Sequence, residues 1–477
     1  MSDNAPKEVD LAVIGSGPGG YRAAVLGALR GLSVVIIEKA DWGGCCLNRG
    51  CVPKKDWYHT ARLVASQSSF ANRGLEGELK ARMDQAWNHQ RAVVEHIRGS
   101  YQEYLHHLKV ATLTGHARFQ DAHTLVVTTQ HGEQAISARH IIIATGAHSH
   151  VPPPFEAVPG RVLTSDMLFD DPPPPGDRVA IIGSGVVATE FAFIFSQMGK
   201  QVTWLARSPM LRRLNFSRPA LTALRDALSA QGVTLQSGVS FVSVDVHDDG
   251  VTLGMEGGEA VTVDWVCLGT GRVPHTEGLA LDAAGVETDD AGFVQRDGHL
   301  RTSADHVYAI GDVASPWMTA NHALSDATVA IENIITGNTR EQDPGQVPVV
   351  VYSALELARL GMDEDAAEDA GHEPAVGFAA FETSPCALGQ DDTAGFVRLI
   401  ADMDTATLLG GEITGAQAGE LIHLLSLAPD RETALAWIAR GRFNHPARAE
   451  EVLNAVETLA GKWGLREPIF GSETSTT

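Results

Sequence analysis

Val9 to Ile14 is apolar at every position except Asp10, the pattern of a strand buried on both faces. The run passes directly into Gly-Ser-Gly-Pro-Gly-Gly at residues 15–20. Tyr21 to Arg30 then has helical periodicity, Gly31 stops it, and Ser33 to Ile37 forms a second apolar run ending at Glu38. Strand, glycine turn, helix and strand in that order predict a βαβ unit with parallel strands. The pattern recurs 168 residues further on. Val179 to Ile182 is apolar, Gly183-Ser-Gly185 follows, Val187 to Met198 reads as a helix, and Gly199 precedes a strand over Gln201 to Leu205. Two copies of one domain type are expected.

Between the copies, Arg62 to Leu108 carries helical periodicity broken near Gly74, and Val110 to Ile136 alternates as antiparallel strands would. Proline clusters at residues 151–154 and 172–175 read as linkers into the second copy. After Gly271-Arg-Val-Pro274 the chain leaves that copy. A third region opens with a strand-like Val347 to Tyr352 and ends in helices through about Leu465. The expected division is residues 1–150 completed by 276–345, then 151–275, then 346–477. The class is α/β for the two copies and α+β for the third region. Ser472 to Thr477 is polar and expected to fray.

The length of 477 residues agrees with three units at roughly 150 residues each. With 44% hydrophobic and 20% charged residues, a packed core is expected. The formal net charge of −23 would repel phosphate backbones and anionic lipid, which argues against nucleic-acid and membrane-surface partners. No apolar run approaches the ~18 residues of a membrane helix. The start, Met1-Ser2-Asp3-Asn4, lacks the basic and apolar stretches of a signal peptide. Five cysteines are too few for a secreted disulfide scaffold, so a cytoplasmic protein is expected.

Gly15-x-Gly17-x-x-Gly20 gains meaning from its place between a strand and a helix. The first glycine allows the tight turn, the second lets a pyrophosphate approach the backbone, and the third permits close helix–strand packing. Glu38, 23 residues past Gly15, is placed to accept from ribose hydroxyls. This predicts a Rossmann-like dinucleotide domain. The second copy reads Gly183-x-Gly185-x-x-Ala188, and the same count from Gly183 lands on Ala206 rather than an acid. Arg207 and Arg213 stand nearby, which favours a ribose 2′-phosphate and hence NADP(H) over NAD(H). The alternative is that both arginines are surface charges and either coenzyme binds.

Gly43-Gly44-Cys45-Cys46-Leu-Asn-Arg-Gly-Cys51-Val-Pro-Lys54-Lys55 follows Glu38. Residues five apart in a regular helix are about 7.5 Å apart along its axis, beyond the Cα spacing of a disulfide. If Cys46 and Cys51 are to bond, the segment must be irregular, and Asn48 and Gly50 tolerate such a backbone. A regular helix could begin near Pro53. Arg49, Lys54 and Lys55 form a basic cluster, and cations lower a thiol's pKa. A metal site would want more ligands nearby, and inert buried thiols would need neither the glycines nor the lysines. Redox chemistry with no metal is the favoured reading. Cys45 is ambiguous, whereas Cys267 and Cys386 read as structural.

The glycine turn followed by G-G-C-C-L-N-R-G-C-V-P-K-K resembles the FAD-dependent pyridine nucleotide–disulfide oxidoreductases, a family that includes dihydrolipoamide dehydrogenase, glutathione reductase and mercuric reductase. The likeness runs from about Val9 to Leu465. Gly115-His-Ala117 and Ala144-Thr145-Gly146 are similar to FAD-domain segments. Thr270-Gly271-Arg272-Val-Pro274 and Tyr308-Ala-Ile-Gly311-Asp312 are similar to segments that return the chain to the flavin. The resemblance implies FAD beside Gly44 and Asp312, and a relay from nicotinamide through flavin to a Cys46–Cys51 disulfide. Cys51 would face the flavin and Cys46 would exchange with the substrate. Lys54 and Glu190 would form an ion pair by the flavin, with Lys55 as competitor for that place. Asn444-His445-Pro446-x-x-x-Glu450 resembles the family's acid–base dyad, with His445 capping a helix from Pro446. That dyad implies a homodimer built through the third region, in which His445 serves the other subunit's cysteines.

Within the family the signals diverge. Cys386-Ala-Leu-Gly389 and residues 415–422 are similar to lipoamide dehydrogenases and mercuric reductases, and residues 203–208 to mercuric reductase. No cysteine follows Cys386, and a histidine stands where mercury chemistry would want a tyrosine. The helix after Gly20 lacks the arginine pair of glutathione reductases. A dihydrolipoamide-dehydrogenase-like enzyme acting on a small disulfide or dithiol is expected, and an NADPH-dependent reductase of glutathione-type disulfides is the alternative. A mercuric-reductase-like enzyme and a non-catalytic flavoprotein subunit come after these. Ala206, Val186, Arg49 and Ala447-Arg448 depart from the lipoamide dehydrogenase pattern, and Arg49 could recognise an anionic disulfide.

Overall fold

A computed structural model describes residues 7–471. The readings made for Met1 to Asn4 and for Ser472 to Thr477 lie outside them. Glu8–Ile14 is the central strand of a seven-stranded sheet, followed by the helix Pro18–Leu29 and the parallel strand Val34–Glu38. Across the sheet the order is Ala111–Thr114, Val34–Glu38, Glu8–Ile14, Gly132–Ile143, Thr124–Thr129 and His116–Phe119. The long strand Gly132–Ile143 changes partner along its length. Its first half forms an antiparallel hairpin with Thr124–Thr129, and its last residues run parallel to Val307–Ala309. The chain thus returns to its first sheet after the second copy.

Ala111–Thr114 corrects the expectation of antiparallel strands throughout Val110 to Ile136. It lies parallel to Val34–Glu38, because the 25-residue helix Met83–His107 carries the chain back across the sheet before it. Alternation reports which side chains are buried and says nothing about the direction of the neighbouring strand.

The second copy is a parallel five-stranded sheet. Its order is Leu235–Ser237, Gln201–Ala206, Arg178–Ile182, Trp265–Leu268 and Val162–Thr164, with a three-stranded antiparallel sheet appended. Its helix Val186–Gln197 has eight apolar residues of twelve and is buried along Ala188 to Phe195. Phe191 and Phe195 pack with Trp57 of the helix Cys51–Ala65 and with Phe169 and Trp265, so one core joins the cysteine helix to this sheet. Two antiparallel strands, Ala147–Ser149 and Arg272–Pro274, form the crossing between the copies. The third region is an antiparallel five-stranded sheet covered by the helix Glu450–Lys462, whose Val452, Ala455, Val456 and Leu459 are buried against it.

Candidate functional site

The first glycine turn divides its roles by geometry. Gly15 has φ +101°, and a Cβ there would lie 2.4 Å from Ala144 O; at Gly20 it would lie 1.9 Å from Gly15 O. Both are held close by backbone. A Cβ at Gly17 would meet nothing within 4 Å, so the middle of the turn faces open space at the N-terminus of Pro18–Leu29. Main-chain N–H groups and a helix dipole aimed into such a space suit a pyrophosphate. Gly44, at φ +63°, approaches from the other side; its Cβ would come 2.7 Å from Gly17 Cα.

This turn opens a cavity of about 470 Å³ that runs from Glu38, His116 and Ala117 at one end to Cys46, Cys51 and Lys54 at the other. The volume lies in the range of cofactor sites. Thr145, Gly146, Arg272, Gly311 and Asp312 line it between those ends, as does Gly115. Glu38 is buried, and its Oε2 accepts from Ser16 N–H at 2.9 Å and Ser16 Oγ–H at 2.6 Å. Its Oε1 accepts from Ala40 N–H at 2.9 Å. The carboxylate therefore shapes the glycine turn as well as facing the cavity. A glycine turn, a buried carboxylate lining the cavity and a long mixed cavity fit a dinucleotide such as FAD.

At the far end Cys46 and Cys51 are joined as a disulfide with Cα atoms 4.7 Å apart. The segment is less irregular than expected, because Gly44–Arg49 is already helical and the next helix starts at Cys51 rather than near Pro53. The break is concentrated at Gly50, with φ −132° and ψ −106°. Asn48, expected to tolerate an irregular backbone, is helical and braces the turn. Its Nδ2 donates to Trp42 O and Gly44 O, and Arg98 donates to its Oδ1.

Lys54 on the cysteine helix is ion-paired with Glu190 on the helix after the second glycine turn. Lys55, the competitor for that place and an expected cofactor contact, does not take it. One residue further round the helix, it stands over the rings of Tyr352 and Tyr58 and does not line the cavity. Burial lowers its pKa against the pull of Glu356 and Glu190. Arg49 lines the cavity. Its Nε and Nη2 donate at 2.5 Å to Asp170 and Asp41, so its charge is committed to two carboxylates.

Asp166 escaped the sequence reading, and no motif surrounds it. Its Oδ1 accepts from Arg272 Nη1 at 2.9 Å and from Cys45 Sγ at 3.2 Å, and its Oδ2 from Ser149 Oγ at 2.8 Å. Burial raises its pKa, but the Arg272 charge and these donors outweigh it and hold the carboxyl below its usual range. Burial pushes the Cys45 thiol up to about 12, with Arg272 opposing, so this third cysteine is a thiol and not a thiolate at neutral pH. Burial also raises Asp312, against the pull of Arg272.

His445 Nδ1 lies 2.9 Å from Glu450 Oε1, and Ala447 N–H donates to Oε2 at 2.7 Å. Because a carboxylate only accepts, Nδ1 carries the proton and Nε2 is left for exchange. The expected helix from Pro446 does not form; helix begins at Glu450, where the carboxylate meets the first turn. His445 is 72% exposed and does not line the cavity of its own chain. In the second copy Gly183 has φ +125° and its Cβ would lie 2.3 Å from Gly269 O, whereas a Cβ at Gly185 would meet nothing within 4 Å. Ala206 is buried at the strand end, Arg207 is exposed and donates to Pro153 O at 3.1 Å, and Arg213 is exposed.

The family model described as pyridine nucleotide-disulphide oxidoreductase matches residues 9–327, and that of the family's dimerisation domain matches residues 347–456. The chain belongs to the pyridine nucleotide-disulphide oxidoreductases. As a member it is an oxidoreductase that uses FAD and a pyridine nucleotide. It is 36% identical over 464 residues to the dihydrolipoyl dehydrogenase of Thermus scotoductus, covering 95% of this chain and 98% of that one. It is 32% identical over 450 residues to the glutathione reductase of Burkholderia cepacia, covering 93% and 97%. Among solved structures, the HOCl-induced flavoprotein disulfide reductase RclA from Escherichia coli matches with a TM-score of 0.81 at 26% identity, over 94% of this chain and 99% of that one. No helix among the described residues is long and apolar enough to cross a membrane.

Proposed function

We propose that this oxidoreductase is a cytoplasmic, homodimeric, dihydrolipoamide-dehydrogenase-like enzyme that exchanges electrons between NADP(H) and a small disulfide or dithiol. The observation that carries the reading is the Cys46–Cys51 disulfide at the end of the cavity opened by Gly15 to Gly20, beside the Lys54–Glu190 pair. Residues 1–150 with 276–345 would hold FAD, residues 151–275 the nicotinamide coenzyme, and residues 346–477 the partner subunit. Bound FAD would supply the two-electron carrier between nicotinamide and disulfide. Gly17 and Gly44 would give its phosphates room, Glu38 and Asp312 would hold it from the cavity wall, and Lys54 would keep a positive charge near the disulfide.

In the exchange the Cys46 thiolate attacks one sulfur of the substrate, forming a mixed disulfide, and the departing thiolate takes a proton from His445. The Cys51 thiolate then attacks Cys46 Sγ, which closes the protein disulfide and releases the second substrate thiolate. Dihydrolipoamide oxidation is the same sequence reversed. Glu450 keeps His445 in the tautomer that presents Nε2. The 72% exposure of His445 and its position away from its own cysteines support a dyad that serves the other protomer.

Arg207 and Arg213 near the end of a strand that closes on Ala206 support NADP(H) over NAD(H). A glutathione-type disulfide is the second reading, favoured by the relative from Burkholderia cepacia. The commitment of Arg49 to Asp41 and Asp170 weighs against an anionic substrate beside it. Lipoamide should reoxidise enzyme reduced by NADPH, and Ala206→Glu should shift preference toward NADH. Turnover confined to glutathione-type disulfides would install the second reading, and unchanged selectivity in Ala206→Glu would remove the coenzyme argument.

A further inference from the structure

We infer that Arg359 and Glu412, both in the C-terminal sheet, are positioning residues for the nicotinamide coenzyme: across the domain boundary they hold the segment 208–217 that carries the arginines beside the second glycine turn. The inference deepens the coenzyme reading of that turn and rests on it.

Arg359 and Glu412 are directly opposed on the antiparallel strands Glu356–Gly361 and Leu408–Gly415, so their side chains share one face. Arg359 Nη1 donates to Leu214 O at 2.7 Å and to Asn215 O at 3.0 Å, while Nη2 donates to Gly361 O of its own sheet at 2.8 Å. Glu412 accepts from Ser217 N–H at 2.7 Å and from Ser217 Oγ–H at 2.5 Å. A cation takes two carbonyls, and the carboxylate beside it takes two donors two residues on. The grip is matched in charge to the chain it holds. Ser217 is also the N-cap of the helix Arg218–Ala230, its Oγ accepting from Ala220 N–H, so Glu412 sits where a helix terminus favours negative charge.

The other end of the segment is tied to the phosphate turn. Leu211 N–H donates at 2.8 Å to the carbonyl of Ser184, the residue between Gly183 and Gly185, and the hydroxyls of Ser184 and Ser208 are 3.0 Å apart. Leu211 is buried and anchors the loop. Leu211 and Asn215 have φ of 53° and 50°, a conformation that side chains other than glycine keep only when their surroundings impose it. The bonds from Ser184 and Arg359 meet the chain at those two residues. Arg212 and Arg213 lie exposed between the anchors. Their distance from the Gly183–Gly185 turn is therefore fixed at one end by the turn and at the other by the C-terminal sheet.

The test uses the full-length, FAD-loaded enzyme with Glu412→Gln or Arg359→Lys, titrated calorimetrically with adenosine 2′,5′-bisphosphate. The dissociation constant should rise about tenfold in each variant, the effect of losing a hydrogen bond to a charged group. Amide exchange in residues 208–217 should quicken, and the KM for NADPH should rise while kcat and the KM for lipoamide stay within about twofold. An unchanged dissociation constant with lowered thermal stability would reduce the pair to a folding role and overturn the inference. Equal rises for NADPH and lipoamide would overturn it as well. If the wild-type enzyme binds the bisphosphate no better than 5′-AMP, the NADP(H) preference fails by itself. The positioning claim is then read on 5′-AMP, whose dissociation constant must still rise in both variants.

Discussion

Lys54, one turn along the helix from Cys51, is ion-paired with Glu190 on the helix that follows the second glycine turn. The pair binds the disulfide-bearing helix to the other copy of the fold, and Glu190 extends the connection by accepting from Tyr352 N–H of the third region at 2.9 Å. The three parts of the chain therefore meet at one carboxylate.

Because Glu190 is only 3% exposed, its loss leaves Lys54 uncompensated in a largely buried place. Glu190→Gln is expected to lower stability by about 3 kcal/mol, measured by urea denaturation. The double variant Lys54→Met/Glu190→Leu should recover most of that stability. It should not recover the rate at which NADPH reduces the enzyme, followed by stopped flow. Full recovery of both would assign the pair to packing alone.

Gly17 and Gly20 should respond in opposite ways to the same methyl group. Gly17→Ala adds a Cβ that touches no protein atom within 4 Å, so the apoprotein should fold with unchanged melting temperature while FAD affinity falls. Gly20→Ala puts a Cβ 1.9 Å from Gly15 O and should destabilise the fold itself. Melting curves of the two apoproteins and a FAD titration separate the effects; equal melting temperatures would contradict the assignment of Gly20.

Cys45 is expected to be chemically silent beside its reactive neighbours. Burial pushes it up to about 12, and Cys267 likewise. After mild reduction at pH 8, iodoacetamide should label Cys46 or Cys51 and spare Cys45 and Cys267 until the protein is denatured. Peptide mass spectrometry reads this directly, and labelling of Cys45 in the native protein would contradict the upward shift that burial gives its thiol.

The His445–Glu450 dyad should act on exchange and leave earlier steps alone. His445→Gln is expected to slow disulfide exchange by about 10²–10⁴-fold, the usual range for a lost acid–base group, with NADPH reduction of the enzyme unaffected. The hydrogen bond from His445, then that from Ala447 N–H, holds the Glu450 carboxyl below its ordinary 4.5. A lowered carboxyl favours the folded arrangement above its unfolded value and loses that advantage as pH falls through the folded one. Carbon NMR of Glu450 should therefore show a midpoint under 4.5 that rises in His445→Gln.

Local chemistry was legible wherever it was written in a short window. Gly15, Gly17 and Gly20 could be given separate roles before any coordinates, because a tight turn, a phosphate approach and a helix–strand contact each require the absence of a Cβ within a few residues. The cysteine segment stood out by its glycines and lysines, and the pairing of Cys46 with Cys51 followed from the family resemblance. Asn48 and Lys55 were misread for one reason. Whether Asn48 loosens or braces its turn depends on Arg98, which approaches from a helix fifty residues away, and the direction of Lys55 depends on Tyr352.

Taken alone, the order of apolar runs, glycine turns and cysteines determined the α/β class and the doubled nucleotide-type unit and marked the cysteine segment for redox chemistry, since backbone sterics and side-chain period act over a handful of neighbours. Only the folded chain decided that Ala111–Thr114 runs parallel to Val34–Glu38, that Asp166 gathers Cys45, Arg272 and Ser149, and that Arg359 and Glu412 clasp residues 214–217. Those partners come from distant stretches of the sequence. Their meeting follows from how buried surfaces pack and how charges find counter-charges in a low-dielectric interior, which no local pattern encodes.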